Sequence, residues 1–328
     1  MNKPNIFKYA TSELSQDAII CYLLEWAKIE YQELNKNLHN LAINFIDSLF
    51  DKFEDIEKPL KYNKIEIKKQ YENIDVLCII NDKYSIIIED KTNTKNHSDQ
   101  LKRYYKEVEI NFSNTKILPI YFKTGDQSNY DNVIKNNYKI YLRQDFLKVL
   151  KIIDSNNDII QDYTNYLQNL NDSINSYKIL PIDKWHYNSW KGFFIELRNK
   201  LNDGNWDYVS NPNGGFLGFW WNWNSNDEYH IYLQIDHSIR KITFKLYTKT
   251  GAKIEKSIIN KWKKHIINNT NNIIVKKPKV VRTGKSVTIG ILENEFRITN
   301  DKGLVDMNKT IEFIRQVESI KLNKFTSI

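Results

Sequence analysis

An apolar segment that ends in three charged residues constrains the fold of this chain most. The run Ser85-Ile86-Ile87-Ile88 predicts a strand buried on both faces, and Glu89-Asp90-Lys91 follows it directly. Burying these charges is costly unless a metal ion or a charged partner compensates for them. Asp75 stands fourteen residues before Glu89, at the start of a second apolar run. This arrangement indicates a metal site.

The two apolar runs together predict a β-hairpin. Residues 76–80 and 84–88 have the composition of strands, and Asn81-Asp82-Lys83 between them is suited to a three-residue turn. A turn centred on Asp82 places Asp75 directly opposite Glu89, with their Cβ atoms roughly 5 Å apart. The two carboxylates are therefore expected to face each other across the hairpin.

Alternation along the second strand decides which charges act together. Glu89 and Lys91 share one face, and Asp90 points away. Two carboxylates and an ammonium on one face suit metal-assisted phosphodiester hydrolysis, because hard cations take oxygen ligands and activate water. The ammonium orients that water or stabilises the pentacovalent phosphate. We expect Asp75 and Glu89 to bind Mg²⁺ or Mn²⁺, and a solvated, charged strand end is the alternative.

The same residues resemble the core motif of a known family. Asp75 with Glu89-Asp90-Lys91 is similar to the motif of the PD-(D/E)XK nuclease superfamily, although Ile74 stands where that motif has proline. The resemblance is strongest over residues 10–125 and implies a restriction-endonuclease-like αβββαβ core in an α/β (α+β) protein. It also implies that Asp75, Glu89 and Lys91 are catalytic and that the backbone carbonyl of Asp90 coordinates the metal.

A helix expected after the hairpin carries Gln100 and Tyr104. The two residues are four apart and so lie on one helical face, and Asn96 and Ser98 are candidate N-caps. They resemble the Q-x-x-x-Y element of the RecB-like and lambda-exonuclease-like branch, which implies that they contact the scissile strand. A surface glutamine beside a half-buried tyrosine is the alternative.

A first helix is expected to open at Thr11-Ser12-Glu13. Thr11 or Ser12 can cap it, and Glu13 and Asp17 suit its first turn because they complement the helix dipole. The superfamily resemblance implies more for Glu13, because it includes a first helix whose acidic residue reaches the metal. Glu13 is therefore a candidate metal ligand, with favourable helix-dipole placement as the alternative.

The pattern of apolar residues predicts two domains. Residues 1–178 are expected to form the nuclease-like catalytic domain, and residues 179–328 a separate α+β domain with a substrate-binding or interaction role. Pro181 interrupts the helical pattern near this boundary. Between residues 215 and 249, apolar and polar residues alternate along three segments, which predicts a meander with one buried face.

The second domain contains the most aromatic segment of the chain, Phe216 to Trp223. Alternation places Phe219, Trp221 and Trp223 on one face of a strand and Trp220 on the other. Core packing explains such a segment. A platform on which nucleic-acid bases stack is the alternative.

Positive charge is concentrated between residues 251 and 290. This block has ten Lys and Arg residues against one acid, Glu255, so its net charge is +9, whereas the whole chain has +8. Such a block suits binding to a phosphate backbone, and a lysine-rich solvated surface is the alternative. The residues expected to contact nucleic acid are Lys261, Lys263, Lys264, Lys276, Lys277, Lys279 and Arg282.

Composition limits the remaining function classes. The mean hydropathy is −0.59, and no apolar run approaches the ~18 residues of a membrane helix. Without an apolar signal-peptide core, we expect a cytoplasmic protein with no membrane partner. Cys21 and Cys78 lie in apolar segments and are expected to be buried thiols. No G-x-x-x-x-G-K loop occurs, which argues against an ATPase.

The sequence thus predicts a metal-dependent nuclease, with DNA favoured over RNA by the family resemblance alone. A non-catalytic nucleic-acid-binding or regulatory protein that keeps the fold is the competing hypothesis. The intact set of Asp75, Glu89 and Lys91 favours the enzyme. The oligomeric state, a protein partner, the choice between terminal and internal cleavage, and a role in defence stay open.

Overall fold

A mixed five-stranded sheet is the centre of the first of two units, Met1–Asn171 and Asp172–Ile328, into which the chain divides. The computed structural model describes residues 4–96, 99–211, 214–225, 227–268, 270, 273–278 and 283–320. The unit boundary at residue 171 lies a few residues before the boundary expected after residue 178.

The first unit begins with helices α1 (Glu13–Trp26) and α2 (Lys36–Phe50). Three antiparallel strands follow, β1 (Ile65–Tyr71), β2 (Ile74–Ile80) and β3 (Tyr84–Lys91). Helix α3 (Gln100–Asn111) leads to β4 (Lys116–Lys123), which runs parallel to β3. The remaining elements are α4 (Asp131–Lys135), β5 (Lys139–Leu142), α5 (Arg143–Leu150) and α6 (Asp158–Asn175), whose last four residues belong to the second unit. The strand order is β1-β2-β3-β4-β5, with β5 parallel to β4.

Both faces of this sheet are covered, which explains why β2 and β3 are apolar throughout. Even-numbered residues such as Cys78 and Ile88 pack with side chains of α1, α2, α5 and α6. Odd-numbered residues such as Leu77 and Ile87 pack with side chains of α3, including Leu101. Glu89, the odd-numbered carboxylate near the end of β3, therefore lies on the α3 side.

The second unit has its own sheet, which is antiparallel throughout and has the order β10-β11-β9-β8-β7-β6. Its elements are α7 (Tyr187–Leu201), β6 (Asn205–Val209), β7 (Phe216–Ser225), β8 (Tyr229–Asp236), β9 (Lys241–Thr248), α8 (Lys256–Asn268), β10 (Val275–Lys276), β11 (Ser286–Leu292) and α9 (Met307–Glu318). The meander predicted between residues 215 and 249 is confirmed as β7, β8 and β9. Residues such as Leu233 and Phe244 form its buried face with side chains of α7, α8 and α9.

The alternation predicted for the aromatic segment fails at its last residue. Phe219 and Trp221 are buried, but the pairing of β7 with β8 shifts between Trp221 and Asn224. Asn222 has a positive φ of 53° in this bulge, and the extra residue rotates the chain that follows it. Trp223 therefore lies on the opposite face from Trp221 and is 47% exposed.

Three further predictions concern the start of α3, the two cysteines and membrane helices. Helix α3 begins after Asp99, so Asn96 is not its N-cap, while Ser98 lies outside the described residues. Cys78 is buried and Cys21 is partly buried, and both are free thiols. Within the described ranges, no helix combines the length and apolar character needed to cross a membrane.

Candidate metal centre

The β2–β3 hairpin has the register predicted from the sequence. Val76 pairs with Ile88, and the ladder continues to Ile80 and Tyr84 on either side of a three-residue turn. Asn81, in this turn, has a positive φ of 52° and accepts hydrogen bonds from two backbone amides with its side-chain oxygen. The pairing ends at Val76 and Ile88, and Asp75 and Glu89 are the next residues of the two strands.

Four oxygen atoms converge on the ammonium of Lys91, which is only 6% exposed. Its Nζ lies 2.6 Å from Glu89 Oε1 and 2.8 Å from the carbonyl oxygen of Asp90. Asp75 Oδ2 is 3.5 Å away and Glu13 Oε2 is 4.0 Å away. Asp75 Oδ2 also accepts a hydrogen bond from the amide of Asp90 at 2.8 Å. The structure thus brings together all four residues that the sequence singled out as metal ligands.

Glu13 reaches this centre from the first turn of α1 and is held there by the loop after β3. Its Oε1 accepts hydrogen bonds from Thr94 Oγ1 at 2.6 Å and from the amide of Thr92 at 3.0 Å. Lys123, at the end of β4, donates to the carbonyls of Thr92 and Thr94 at 2.8 and 2.5 Å. Gly125 makes room for the loop, because a Cβ there would lie 2.0 Å from the carbonyl oxygen of Thr92.

Burial, hydrogen bonds and neighbouring charges shift the pKa values of the groups at the centre. The pKa values of Glu89 and Lys91 are raised, and that of Glu13 is lowered. Burial, followed by the charge of Asp75, raises the pKa of Glu89 to about 8, although Lys91 opposes the shift. For Lys91, burial disfavours the charged form, but the carboxylates of Glu89 and Asp75 outweigh it and raise the pKa. Burial also acts on Glu13, yet hydrogen bonds from Thr94 and Thr92 and the charge of Lys91 lower its pKa.

The oxygen atoms around Lys91 fit a hard divalent cation in their chemistry. Three carboxylates and a carbonyl are the ligand types that Mg²⁺ and Mn²⁺ prefer. Glu89 Oε2 is buried without a hydrogen-bond partner among the described residues, so its charge is incompletely compensated. No three His, Cys, Asp or Glu side chains in the described part of the chain are arranged to hold a metal ion. The positive charge at the centre of the oxygens comes from Lys91.

Two more carboxylates, those of Asp90 and Asp17, are buried on the other side of β3. Asp90 turns its side chain away from Lys91, as predicted, and accepts a hydrogen bond from Gln16 Nε2. The amide of Gln16 is oriented by Thr124 and Tyr163, whose hydroxyls donate to its oxygen at 2.5 and 2.8 Å. Burial, followed by the charge of Asp17, raises the pKa of Asp90.

Asp17 is the second of these carboxylates and links Asp90 to the centre. From the sequence it was expected only to complement the helix dipole. It is 1% exposed, and Gln70 Nε2 bridges its Oδ2 at 3.3 Å and Asp75 Oδ1 at 3.4 Å. Burial and the charge of Asp75 raise the pKa of Asp17 to about 6. The available signal was its spacing, because Asp17 follows Glu13 by one helical turn.

Lys123 is a residue near the centre that sequence reasoning missed. It is the direct partner of Lys91 in the parallel pairing of β3 with β4, and its side chain is almost fully buried. Its charge helps to lower the pKa of Glu13. The sequence contains one indication of this role, since β4 ends in a lysine as β3 does.

Gln100 and Tyr104 lie on one face of α3, as predicted, and contact each other. Gln100 Nε2 donates to the hydroxyl of Tyr104 at 3.0 Å. Burial raises the pKa of Tyr104, the hydrogen bond from Gln100 opposes the shift, and the charges of Glu89 and Asp75 add to it. The phenol is therefore within electrostatic reach of the centre.

The basic block of the second unit is only partly available to a ligand. Lys261, Lys264 and Lys277 are exposed, and Lys276 is exposed but forms an ion pair with Glu293. Lys263 is 4% exposed and lies beside Trp262 on the buried side of α8. The structure therefore does not support the phosphate contact predicted for it. Lys279 and Arg282 lie outside the described residues.

Comparisons of the chain with known protein families, with curated proteins and with solved structures gave no match.

The raised pKa of Glu89 predicts a specific pH dependence of stability in metal-free protein. The folded state binds this proton more tightly than the unfolded state, whose carboxyl has a pKa near 4.5. The resulting stabilisation is complete below pH 4.5 and is lost as the pH rises to about 8, with an upper bound of about 5 kcal/mol. Glu89→Gln removes this contribution.

Chemical denaturation with a chelator at pH 5.5 and 8.5 measures the effect. The wild type is expected to lose more stability than Glu89→Gln between the two pH values, because Asp17 and Asp90 titrate in both proteins. Equal losses would contradict the raised pKa.

Proposed function

We propose that this protein is a metal-dependent nuclease that hydrolyses phosphodiester bonds, with DNA favoured over RNA. The observation that carries the proposal is the convergence of Glu13, Asp75, Glu89 and the carbonyl of Asp90 on Lys91 Nζ. Burying carboxylates together costs free energy, and such arrangements are concentrated at functional sites. The similarity to the PD-(D/E)XK motif supports the same function.

The roles of these residues follow from their chemistry. Asp75 and Glu89, together with Glu13 and the carbonyl of Asp90, would hold Mg²⁺ or Mn²⁺. Such a cation, when bound, lowers the pKa of a water ligand and neutralises phosphate charge. The raised pKa of Lys91 keeps its ammonium charged, so that it can orient the attacking water or stabilise the pentacovalent phosphate.

Gln100 and Tyr104 are proposed to contact the substrate strand. The phenol oxygen of Tyr104 accepts the hydrogen bond from Gln100, so its own O–H can donate to a phosphate oxygen. Both residues lie on the helix that packs on the same sheet face as Glu89. A strand bound along α3 would therefore pass the centre.

A nucleic-acid-binding or regulatory protein without catalysis is the second candidate. The close ion pair of Lys91 with Glu89 favours it, because an internal ammonium neutralises the carboxylates without a metal. The two candidates differ in metal binding. The enzyme requires Mg²⁺ or Mn²⁺ at the centre, whereas a silent protein binds nucleic acid equally well after chelation.

The direct test is a cleavage assay. Purified protein is incubated with linear duplex, circular duplex and single-stranded DNA and with RNA, each with Mg²⁺, with Mn²⁺ or with a chelator. Metal-dependent cleavage that is lost in Glu89→Gln supports the proposal. Binding without cleavage under every condition would favour the second candidate.

The exposed part of the basic block is expected to bind phosphates. Replacing Lys261, Lys264 and Lys277 together with Gln should weaken nucleic-acid binding and leave the cleavage rate at saturating substrate unchanged. The log-log salt slope of the affinity should fall by roughly 0.7 to 0.9 for each lysine–phosphate interaction that the variant removes. A matched triple variant at Lys36, Lys83 and Lys135, exposed lysines of the first unit, serves as the control. Equal effects of the two variants would assign the binding surface elsewhere.

A further inference from the structure

The sheet of the second unit has one face that carries exposed aromatic rings. Its other face is buried under α7, α8 and α9. On the exposed face, Trp223 of β7 is 47% exposed and Tyr247 of β9 is 37% exposed. Tyr232 and His230, on β8 between them, complete a continuous set of rings. We call Trp223, His230, Tyr232 and Tyr247 the aromatic face.

The rings of the aromatic face are ordered by contacts with one another. Trp223 stacks on Tyr232 with 4.1 Å between ring centroids and 14° between the ring planes. His230 is stacked with Tyr247 at 6.2 Å and 27°. The bulge at Asn222 is what turns Trp223 outward, although burial of an indole is favourable. The bulge therefore creates a flat aromatic surface where strict alternation would have buried the indole.

Positive charge lies next to these rings. Lys245 is directly opposite Tyr232 in the β8–β9 pairing, and its Nζ donates to Thr288 at 3.2 Å. No carboxylate of the described residues lies within ion-pair distance of this ammonium. Lys249 and Lys285 are exposed at the nearby ends of β9 and β11, where Glu228 is the adjacent acid. An anionic ligand would complement this arrangement.

We infer that the aromatic face binds single-stranded nucleic acid, with bases stacked on Trp223 and Tyr247 and phosphates near Lys245. Every base has a π-face, so stacking on aromatic side chains suits an unpaired strand of any sequence. Duplex bases are already stacked and do not offer that face. A neutral carbohydrate could cover the rings, but it would offer no anion to the ammonium of Lys245, on which Asp236 acts only from beyond ion-pair distance. The inference goes beyond the proposed cleavage and does not depend on it.

Binding is measured by fluorescence anisotropy with full-length protein in the presence of a chelator, so that cleavage does not contribute. The probes are a labelled single-stranded DNA of mixed sequence, the matching RNA, and the corresponding DNA duplex. Single strands are expected to bind more tightly than the duplex. Trp223→Ala should weaken single-strand binding about 5- to 100-fold, with a smaller loss for Tyr247→Ala.

Three further variants make the result specific. Tyr9→Ala removes an exposed ring of the first unit and should leave binding unchanged. Trp223→Phe keeps a stacking ring and should retain part of the affinity, which separates loss of stacking from loss of folding. Lys245→Gln should lower the single-strand salt slope by roughly 0.7.

Wild-type affinity in folded Trp223→Ala and Tyr247→Ala would overturn the inference. Equal binding of duplex and single strands would overturn it as well. If the protein binds single strands but does not cleave them when metal is added, only the proposed nuclease function is contradicted, because binding is measured in the presence of a chelator.

Discussion

If the proposed function is correct, Glu89→Gln is expected to lower metal-dependent cleavage by about two to four powers of ten, as removal of a preorganised electrostatic contact does in enzymes. The substitution removes a charge but keeps the shape of the side chain. Glu89 is buried beside Asp75 and has one oxygen without a hydrogen-bond partner, so a metal at this centre would depend on its charge. Asp75→Asn is expected to have a similar effect. Titration of Mg²⁺ or Mn²⁺ by calorimetry should show weaker metal binding in both variants.

The control for this prediction is Asp82→Asn. Asp82 belongs to the same hairpin but is exposed in the turn, where it pairs with Lys64. It should retain wild-type cleavage and metal affinity. Removing a buried carboxylate with a raised pKa is expected to relieve its burial cost in metal-free protein at pH 8.5, and chemical denaturation of Glu89→Gln checks that unfolding does not explain the loss. Near wild-type cleavage by Glu89→Gln or Asp75→Asn would show that the active-site assignment is wrong.

Lys91→Met is expected to destabilise metal-free protein by about 3 to 5 kcal/mol at pH 8.5. The ammonium is the charge that Glu89 and Asp75 share at 2.6 and 3.5 Å. Its removal leaves buried carboxylates that must either remain unpaired or take up protons. The cost should therefore be smaller at pH 5.5, where protonation is easier. Chemical denaturation at the two pH values measures the difference.

A double-mutant cycle identifies the source of this cost. Lys91→Met combined with Glu89→Gln should recover most of the lost stability, because the second substitution removes the unpaired charge. Lys64→Met breaks the exposed ion pair with Asp82 and should change stability by no more than about 0.5 kcal/mol. A Lys91→Met variant as stable as the wild type would show that the ammonium does not neutralise the centre. Added Mg²⁺ should restore part of the stability, since it supplies the missing charge.

Local sequence patterns predicted the hairpin and its register correctly. A three-residue turn and two-residue alternation are sufficient to set the register, so the β2–β3 pairing and the direction of the Asp90 side chain followed from neighbouring residues. The buried face of the meander was predictable for the same reason. The burial of Lys263 could also have been predicted, because Ile259, Trp262 and Ile266 place it within the apolar stripe of α8.

The aromatic segment shows where alternation stops being sufficient. A bulge inserts one residue and reverses the faces of all residues after it. The sequence around Asn222 allows a positive φ but does not require it. The outward position of Trp223 was therefore decided by the packing of the whole sheet.

By itself, the sequence determined the strands, the hairpin and the identity of the residues at the ends of β2 and β3, because these depend on periodicity over a few residues. Tertiary structure alone decided that Asp17 and Lys123 join Glu13, which only the family resemblance had indicated, at the end of β3. These residues come from α1 and β4, and their approach depends on how α1 and the loop after β3 pack on the sheet. The cost of burying several carboxylates is offset only when Lys91, Lys123 and the surrounding donors reach the same place. No local pattern encodes that compensation.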